Sequence, residues 1–515
     1  MRILAFNLGK FLKKIKRDEV MPIQLKVKPG IKRVMIIGTG DCARILIGEI
    51  EREQRDRYEI VALIDDDIKK QNTYYKGYWV YGSRHDITNI SEELKVDVIF
   101  FAIANIQAEE RRKIIDICNL TKAKIKIVPP LMELIDGDED VSINAMRDVD
   151  LKDLLGRDEI TLDKEGIKEY IEGKTILVTG GGGSIGSELC RQISKFKPMR
   201  LLIFDIYENN AYDLQNELRR KFPGLKQKVI IGSIRDKARL KEVFEVYHPE
   251  IIFHAAAHKH VPLMEDNPGE AIKNNVVGTL NVANYASRYG AEKFVLISTD
   301  KAVNPTNVMG ATKRICEIII QAINAESKTE FVAVRFGNVL GSNGSVIPLF
   351  TQQIKEGGPV TVTHRNIIRY FMLIHEAAQL VLQAGTYAKG GEIFVLDMGE
   401  PVRIYDLAEK LIKLSGFKPY EDIDIKVTGL RPGEKLYEEL LVNQELTKTL
   451  HNKIFIDKPE EFSLREINKH IEELIFMATS GHKEKIVAKL KKVVPTFVAP
   501  EEINGMENRS QHQEV

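Results

Sequence analysis

The chain has 515 residues and a formal net charge of +1, with 75 lysines and arginines against 74 acidic residues. At roughly 100 to 200 residues per domain, this length predicts two or three domains. The balanced charge argues against a nucleic-acid-binding protein. No run of about 18 apolar residues occurs, which argues against a transmembrane helix. The 4 cysteines show no metal or redox spacing, as expected in a reducing cytoplasm.

Residues 1–30 form a basic leader with an amphipathic pattern. Apolar residues share one helical face and basic residues lie largely opposite: Leu4, Leu8, Phe11, Leu12 and Ile15 against Lys10, Lys13, Lys14 and Arg17. Such a segment can lie on an anionic membrane, which makes residues 1–17 a candidate peripheral contact at the inner membrane face. The alternative is a leader that packs on its own protein or has no fixed structure.

The first nucleotide-binding pattern begins at residue 31. An apolar strand runs into Gly38-Thr-Gly40-Asp-Cys-Ala43, and a second apolar run ends in Asp65, where a ribose-binding carboxylate belongs. This predicts a nucleotide-binding-like Rossmann domain over residues 31–135. The alternative is a glycine turn that only packs a helix on a strand. Residues 136–173 are charged and are interpreted as an interdomain connection.

A stronger pattern follows Lys174, where a strand leads into a TGxxGxIG turn and a helix. Gly180 permits the tight turn, Gly183 lets backbone N–H groups approach a pyrophosphate, and Gly186 allows close helix packing. Ser184 and Ile185 complete this predicted cofactor loop.

Asp205 ends the next strand, and its carboxylate is expected to accept hydrogen bonds from both ribose hydroxyls. No arginine follows to pair with a 2′-phosphate, so NAD is favoured over NADP. Further strands alternate with helices, which predicts an α/β fold of two tandem Rossmann-like domains. The second, over residues 174–495, is expected to be a doubly wound parallel sheet with a smaller C-terminal substrate-binding part. Residues 496–515 are expected to be a disordered tail.

Polar or small residues follow the predicted strands at the edge where such sheets bind ligands. Ser233 and Ile234 are expected to flank the adenine, Ala255 and Ala256 to leave room for the cofactor, and Asn275 to contact it. The two alanines are equally compatible with close helix packing. Three neighbouring histidines lack partners at metal-ligand spacing, so no metal site is expected. Of these, His260, with Lys259, is placed on the substrate side.

The most informative stretch is Thr299-Asp300-Lys301, followed by Met309 and Lys313. In short-chain dehydrogenases, a tyrosine four residues before the lysine removes a hydroxyl proton, which a methionine thioether cannot do. The Thr-Asp-Lys run places a possible acid beside a possible base at a strand end. As an alternative, Asp300 caps the following turn and Lys301 is solvated.

Five motifs in order show that the chain resembles the nucleotide-sugar 4,6-dehydratases of capsule and glycan biosynthesis, a branch of the extended short-chain dehydrogenases. They are TGGGGSIGSELCRQI from Thr179, HAAAHKHVPLMEDNP from His254, STDKAVNPTNVMGATKR from Ser298, RFGNVLGSNGSVIP from Arg335 and GLRPGEKLYEEL from Gly429. The resemblance implies a UDP-N-acetylhexosamine substrate, most often UDP-N-acetylglucosamine, and a bound NAD regenerated at each turnover.

The resemblance also implies residue roles. Asp300 is the acid for the departing water, Lys301 the base at sugar C5, Thr299 the nearest relay for the C4 hydroxyl proton, and Lys313 the holder of the nicotinamide ribose. Met309 matches a substrate-binding position and resembles the subgroup that keeps the C5 configuration. The alternative is that Met309 only fills the core of a degraded site. Burial raises the pKa of an acid and lowers that of a lysine, whereas their mutual attraction opposes both shifts.

Further residues match substrate contacts of the family. Asn338 and Val346 match positions that contact the diphosphate and uracil, and Arg369 and Arg431, with Glu434, match the diphosphate-neutralising segment. A surface arginine is the alternative for either. We also expect a homo-oligomer. Two other functions remain open: a C4 epimerase, which would need a tyrosine at position 309, and a catalytically silent nucleotide-sugar sensor.

Overall fold

The computed structural model describes residues 30–128, 142–143, 146–149, 153, 160, 162–439, 446–457, 460 and 462–500. The amphipathic leader and most of the predicted tail lie outside these residues. The chain forms two compact units, Met1–Asp158 and Glu159–Val515. No helix in the described part is both long enough and apolar enough to cross a bilayer.

The first unit is built on a sheet whose strands, in chain order, are β1 (Lys32–Ile37), β2 (Tyr58–Ile64), β3 (Thr73–Tyr75), β4 (Tyr78–Gly82), β5 (Val98–Phe101), β6 (Lys124–Ile127) and β7 (Arg147–Asp148). Within the described residues their order is β3-β4-β2-β1-β5-β6-β7. The central strands are parallel, and β3 and β7 join antiparallel. The helices are α1 (Asp41–Glu53), α2 (Ile87–Glu93) and α3 (Ala108–Cys118).

The second unit contains a larger sheet. Its strands are β8 (Thr175–Thr179), β9 (Arg200–Asp205), β10 (Gln227–Ile231), β11 (Ile251–His254), β12 (Lys293–Ile297), β13 (Glu330–Arg335), β18 (Ile393–Leu396), β21 (Thr447–Lys448) and β22 (Ile454–Asp457). In the described part of the chain their order is β10-β9-β8-β11-β12-β13-β18-β22-β21. The strands from β10 to β18 are parallel, which confirms the predicted fold, whereas β22 and β21 add an antiparallel edge.

The short strands of the C-terminal part form separate pairs: β14 (Asn338–Val339) with β17 (Phe371–Met372), β15 (Val360–Val362) with β20 (Ile425–Val427), and β16 (Ile368–Arg369) with β19 (Val402–Arg403). The helices of this unit are α4 (Lys164–Ile171), α5 (Ser184–Ser194), α6 (Glu208–Lys221), α7 (Lys237–Tyr247), α8 (Val261–Asp266), α9 (Pro268–Ala271), α10 (Gly278–Arg288), α11 (Val308–Asn324), α12 (Val346–Lys355), α13 (Ile374–Tyr387), α14 (Ile404–Leu414), α15 (Leu464–Ser480) and α16 (Lys483–Val493).

Both faces of the large sheet are covered. Every residue of the central strands β8 and β11 is buried, as is typical of a parallel sheet packed on both sides. Helix α11 has 16 of its 17 residues buried, and the C-terminal helices α15 and α16 share its hydrophobic core. Two expected boundaries differ from the structure. Helix α4, from the predicted connection, contributes Ile167 and Ile171 to the second unit's core. Phe497, from the predicted tail, is buried in that same unit because it completes the apolar cover of α11.

A buried charge network holds the strand ends in place. The Arg335 guanidinium donates to both Glu317 carboxylate oxygens at 2.7 Å, and its remaining nitrogen donates to Asp457 at 2.7 Å. Ser298 donates to Glu317 at 2.7 Å. Burial raises the pKa of Glu317, but the charge and hydrogen bonds of Arg335 outweigh it, with Arg314 and Ser298 adding to them, and bring that pKa to about 2. Helix α11 is thereby tied to β12, β13 and β22.

We expect Glu317→Gln to lower the free energy of unfolding by about 3 kcal/mol, because it leaves buried arginines without their shared anion. The exposed ion-pair variant Glu421→Gln is the control and should change it by less than about 0.5 kcal/mol. Thermal melting at neutral pH measures both. Because the Glu317 pKa lies below its ordinary 4.5, the difference should shrink as the pH falls toward about 2. Equal melting temperatures for the two variants would contradict the expectation.

Candidate active site

The crevice lies where the strand order of the large sheet reverses. Strands β8 and β11 are neighbours, with β9 and β10 on one side and β12 and β13 on the other. Their carboxyl ends face the same edge, which is where ligands bind in open α/β sheets. The predicted cofactor residues follow β8 to β11, and Thr299, Asp300 and Lys301 follow β12.

The glycine turn after β8 is built by close backbone approach. Gly180 has a φ of 67°, and a Cβ there would lie 2.7 Å from the Ala256 nitrogen. A Cβ on Gly186 would overlap the Gly180 carbonyl oxygen. Gly183 precedes the first turn of α5, and Ser184 accepts from the Asn343 N–H at 3.1 Å. The N-terminus of α5 is thus held over the crevice, where its free N–H groups can face an anion.

Asp205 is the last residue of β9, at the edge of the crevice. Its two carboxylate oxygens accept from the backbone N–H groups of Gly182 and Tyr207, each at 2.8 Å, which fixes the orientation of the carboxylate. Ser233 accepts from the Arg235 N–H at 3.2 Å. Ile234 is buried and lies against Gly278, where a Cβ would meet its side chain. Arg235 pairs with Glu270 at 2.7 Å.

Asn275 joins the loop after β11 to the helices behind it. Its oxygen accepts from the His258 N–H at 2.8 Å, while its nitrogen donates to the His258 carbonyl at 3.0 Å and to Thr312 at 3.1 Å. All these capacities are met within the chain. The sequence predicted a cofactor contact here, and the structure adds a positioning role for the loop that carries Ala255, Lys259 and His260.

Lys313 and His254 lie buried beneath the crevice. Burial lowers the pKa of Lys313 below its ordinary value. Burial, together with the Lys313 charge, lowers the pKa of His254 to about 3, so this histidine is neutral at physiological pH. It is also enclosed by Thr179 at 2.7 Å and Thr279 at 3.0 Å. Its role is therefore internal bonding between β8, β11 and α10.

The Thr-Asp-Lys run forms one hydrogen-bonded group. Thr299 Oγ1 donates to Asp300 Oδ1 at 2.9 Å, and Lys301 Nζ donates to the same oxygen at 3.0 Å. Asp300 is 1% exposed. Its other oxygen, Oδ2, is buried and has no hydrogen-bond partner in the described part of the chain. A Cβ on Gly337 would lie 3.0 Å from that oxygen, so glycine there leaves it room.

Lys301 faces two carboxylates and an amide. Its Nζ lies 3.0 Å from Asp300 Oδ1, 3.4 Å from Asn338 Oδ1 and 3.5 Å from Glu438 Oε1. Burial lowers the Lys301 pKa, but Asp300 and Glu438 outweigh burial and the opposing charge of Arg369, and raise it above its ordinary 10.5. The lysine therefore carries its proton before substrate binds.

Met309 is 3% exposed and belongs to the hydrophobic core cluster of α11. Its thioether offers no acid or base at this position. It was predicted to be a substrate contact, and its burial gives it a packing role as well. Two residues along, Ala311 is also buried in the same cluster.

The expected diphosphate arginines are joined by one carboxylate. Glu434 Oε1 lies 3.0 Å from an Arg431 nitrogen and 3.5 Å from an Arg369 nitrogen. Arg369 is 7% exposed and also donates to the carbonyls of Ile368 and Lys435, at 2.7 and 2.8 Å. Arg431, by contrast, is exposed. The structure thus brings both arginines together through Glu434.

The remaining substrate candidates border the crevice from other segments. Lys259 Nζ donates to Ser342 at 3.4 Å, and burial, with Lys301 nearby, lowers the Lys259 pKa. The His260 ring lies against Gly344, where a Cβ would collide with it. Val346 is the first residue of α12. No group of His, Cys, Asp or Glu in the described residues is arranged to hold a metal ion.

Sequence reasoning missed two residues of this site. Glu438 approaches Lys301 from a distant segment, and Gly337 makes room for Asp300. Both lie inside the motifs that carry the family resemblance, RFGN and RPGEKLYEEL. Motif position alone gave no sign that these segments meet at Asp300 and Lys301, because the contact depends on the tertiary fold.

Comparison with known proteins identifies the family. The family model described as "Polysaccharide biosynthesis protein" matches residues 176–459, and a model described as "C2185-like, N-terminal" matches residues 30–150. The capsular polysaccharide biosynthesis protein CapD of Staphylococcus aureus is 47% identical over 460 residues, covering 88% of this chain and 76% of CapD. The chain belongs to the polysaccharide biosynthesis protein family.

Two further relatives are named for two different activities. The UDP-N-acetylglucosamine 4,6-dehydratase (inverting) of Campylobacter jejuni (serotype O:2) is 33% identical, covering 58% of this chain and 88% of that protein. The UDP-glucose 4-epimerase of Rickettsia canadensis is 37% identical, covering 53% and 80%. The X-ray structure of Pen from Bacillus thuringiensis aligns with a TM-score of 0.52 at 36% identity, over 57% of this chain and 90% of Pen. The chain therefore belongs to a family that includes nucleotide-sugar dehydratases and epimerases.

We expect a side chain in the glycine turn at Gly180 to destabilise the fold. Gly180→Ala should lower the free energy of unfolding by roughly 1–3 kcal/mol, because it combines a positive φ with a collision against the Ala256 backbone. Gly224→Ala is the control, since a Cβ there meets nothing within 4 Å. Urea unfolding followed by circular dichroism compares the two. Equal midpoints would show that the turn tolerates a side chain.

Proposed function

We propose that the protein is an NAD-dependent UDP-N-acetylglucosamine 4,6-dehydratase that makes a UDP-4-keto-6-deoxy-N-acetylhexosamine with the C5 configuration retained. The observation that carries the proposal is Asp300, hydrogen-bonded to Thr299 and Lys301, whose second oxygen is buried without a partner among the described residues and can meet a substrate hydroxyl. A dehydratase needs an acid and a base near C5 and C6, and this group offers both. The relative from Campylobacter jejuni carries the same activity name.

The residues at the carboxyl ends of β8 and β9 fit a dinucleotide. The Gly180 turn brings the N-terminus of α5 to the position of a pyrophosphate, and Asp205 is oriented to accept from ribose hydroxyls. Ile206, Tyr207 and Glu208 follow Asp205 without an arginine for a 2′-phosphate, which favours NAD over NADP. Lys313 would hold the nicotinamide ribose. When bound, NAD supplies a hydride acceptor for C4 and a hydride donor for C6.

The proton steps belong to the chain's own residues. With Met309 unable to act as a base, Thr299 relays the C4 hydroxyl proton to Asp300 along their 2.9 Å hydrogen bond. The protonated Asp300 then donates to the departing C6 hydroxyl. Lys301 removes the C5 proton, which the new C4 ketone has made acidic, and returns a proton from the same side. A single base acting from one side retains the C5 configuration, unlike the relative named as inverting.

The substrate's diphosphate and uracil would be held by the C-terminal part. Arg369 and Arg431 can exchange part of their bonding to Glu434 for phosphate oxygens, because guanidinium groups bind both anions in bidentate fashion. Asn338 and Val346 would contact the nucleotide, and Lys259 and His260 the sugar side.

A second candidate is a C4 epimerase, favoured by the activity name of the Rickettsia canadensis relative. It would use the same cofactor and the same substrate class. Residue 309 argues against it, because methionine replaces the tyrosine that such a reaction needs as its C4 base.

One experiment separates these functions. The protein is incubated with UDP-N-acetylglucosamine in heavy water without added cofactor, and the sugar is followed by NMR. A 4-keto-6-deoxy product with deuterium at C5 is the expected result, because a lysine ammonium exchanges its hydrogens with the solvent. A C4-inverted sugar would support the epimerase, and an unchanged spectrum would support a silent sensor. Coupling constants of the product report whether C5 is retained or inverted.

Asp300→Asn and Lys301→Met should each lower turnover by at least about a hundredfold, because each removes a proton-transfer group. Bound NAD, released by heat and measured by chromatography, should be unchanged. Lys418→Met, which removes an exposed lysine that pairs with Glu421, is the control and should turn over like the unmodified protein. Full activity in either site variant would rule out its assigned role.

Asp205→Ala should weaken NAD binding by roughly tenfold or more, because the ribose hydroxyls lose a charged acceptor. Asp213→Ala, an exposed carboxylate on α6, is the matched control. Titration of intrinsic NADH fluorescence measures both variants. Unchanged affinity in Asp205→Ala would exclude the ribose contact.

A further inference from the structure

Glu438 is a buried carboxylate that has no part in the proton steps of the proposed dehydration. Its side chain is 4% exposed. Oxygen Oε1 lies 3.5 Å from Lys301 Nζ and 3.9 Å from Arg369 Nε. Oxygen Oε2 is buried without a hydrogen-bond partner among the described residues. A buried carboxylate with an unsatisfied oxygen is costly, so its presence beside the proposed base calls for a chemical reason.

The proposed base has a proton to lose before it can act. Lys301 is paired with Asp300 and Glu438 and is charged in the free protein. Its nearest acceptor, Asp300, is already assigned the proton from the C4 hydroxyl. One carboxylate cannot take both protons, and an ammonium cannot remove the proton from C5. A second acceptor must therefore stand beside Lys301, or its proton must leave to the solvent.

We propose that Glu438 is a positioning residue that takes the proton of Lys301 when Asp300 becomes protonated, and returns it at the end of the turnover. This inference rests on the proposed dehydratase function. Neutralising Asp300 removes the attraction that held the charge on Lys301, and burial then favours the uncharged amine. Transfer across the 3.5 Å ion pair turns two buried charges into two neutral groups.

The protons balance over the cycle. The C4 hydroxyl proton passes through Thr299 to Asp300 and leaves with the C6 hydroxyl as water. The C5 proton goes to Lys301 as the C5–H bond breaks, and a proton returns from Lys301 to C5. The proton on Glu438 then goes back to Lys301. One hydride leaves C4 and one is returned to C6 by way of the nicotinamide cofactor of the proposed function, so no other oxidant or reductant is needed.

The charged groups around the pair are compatible with this exchange. Asp300 and Arg369 face Lys301 and Glu438 directly, at 3.0 Å and 3.9 Å. Glu434 compensates Arg369 at 3.5 Å, and the nearby charge of Lys301 acts on Lys259. The Arg369 guanidinium, 3.9 Å from Glu438 Oε1, places a second positive charge beside the carboxylate that is proposed to accept the proton.

The test is the pH profile of Glu438→Gln, with Glu439→Gln as the matched control. Glu439 is the neighbouring residue, half exposed, and it pairs with Lys435 and Asn304 away from Lys301. In the unmodified protein and the control, single-turnover product formation should be nearly flat from about pH 6 to about pH 9, because the Lys301 proton stays inside the site. In Glu438→Gln that proton must reach the solvent, so the rate should rise roughly tenfold for each pH unit.

A merely structural role for Glu438 would lower the rate equally at every pH, and that result would overturn the inference. So would a Glu438→Gln profile that matches the control. If the variant does not fold, as judged by circular dichroism, the unmodified protein decides, since a rate rising roughly tenfold per pH unit would show that its Lys301 proton leaves to the solvent. Absence of any 4-keto-6-deoxy product in the unmodified protein would instead reject the proposed function itself.

Discussion

The arrangement of the crevice depends on the buried ion pair between Arg335 and Glu317. It joins the end of β13 to the middle of α11, and through Ser298 it reaches the residue immediately before Thr299. Two charges removed from water are tolerable only when nearly all of their hydrogen-bonding capacity is met. This requirement leaves the strand ends and the helix little freedom to shift. Thr299, Asp300 and Lys301, which follow β12, are therefore held on a fixed support.

Much of the fold could be predicted because local rules and tertiary structure agree. Continuous apolar runs such as residues 251–253 are typical of buried parallel strands, and the turn at Gly180 has the spacing of a dinucleotide fold. The antiparallel strand Ile454–Asp457 was not predicted, since it lies far along the chain from β18, with which it pairs. Helix α15 likewise gives no local sign that it covers α11.

The site was predictable in membership but less so in its charge state. The motifs pointed to Thr299, Asp300 and Lys301 as one group, and their hydrogen bonds join them. The sequence could not decide whether burial or attraction to carboxylates has the larger effect on the pKa of Lys301. The attraction comes from Asp300 and also from Glu438, which lies on another segment. The first unit offers a parallel case. Its Asp65 fits a ribose-binding pattern, yet its carboxylate is already bonded to Thr39 and Lys70.

Helix α11 has almost no face that meets water, and part of its cover comes from α15 and α16. The family model ends at residue 459, before either of those helices begins. The second unit is therefore longer than the region that the family model matches. A fragment cut at the end of the recognisable region would uncover apolar side chains such as Ile315 and Ile319. An expressed fragment of the second unit should therefore include the helices that cover α11, and should not end where the family model ends.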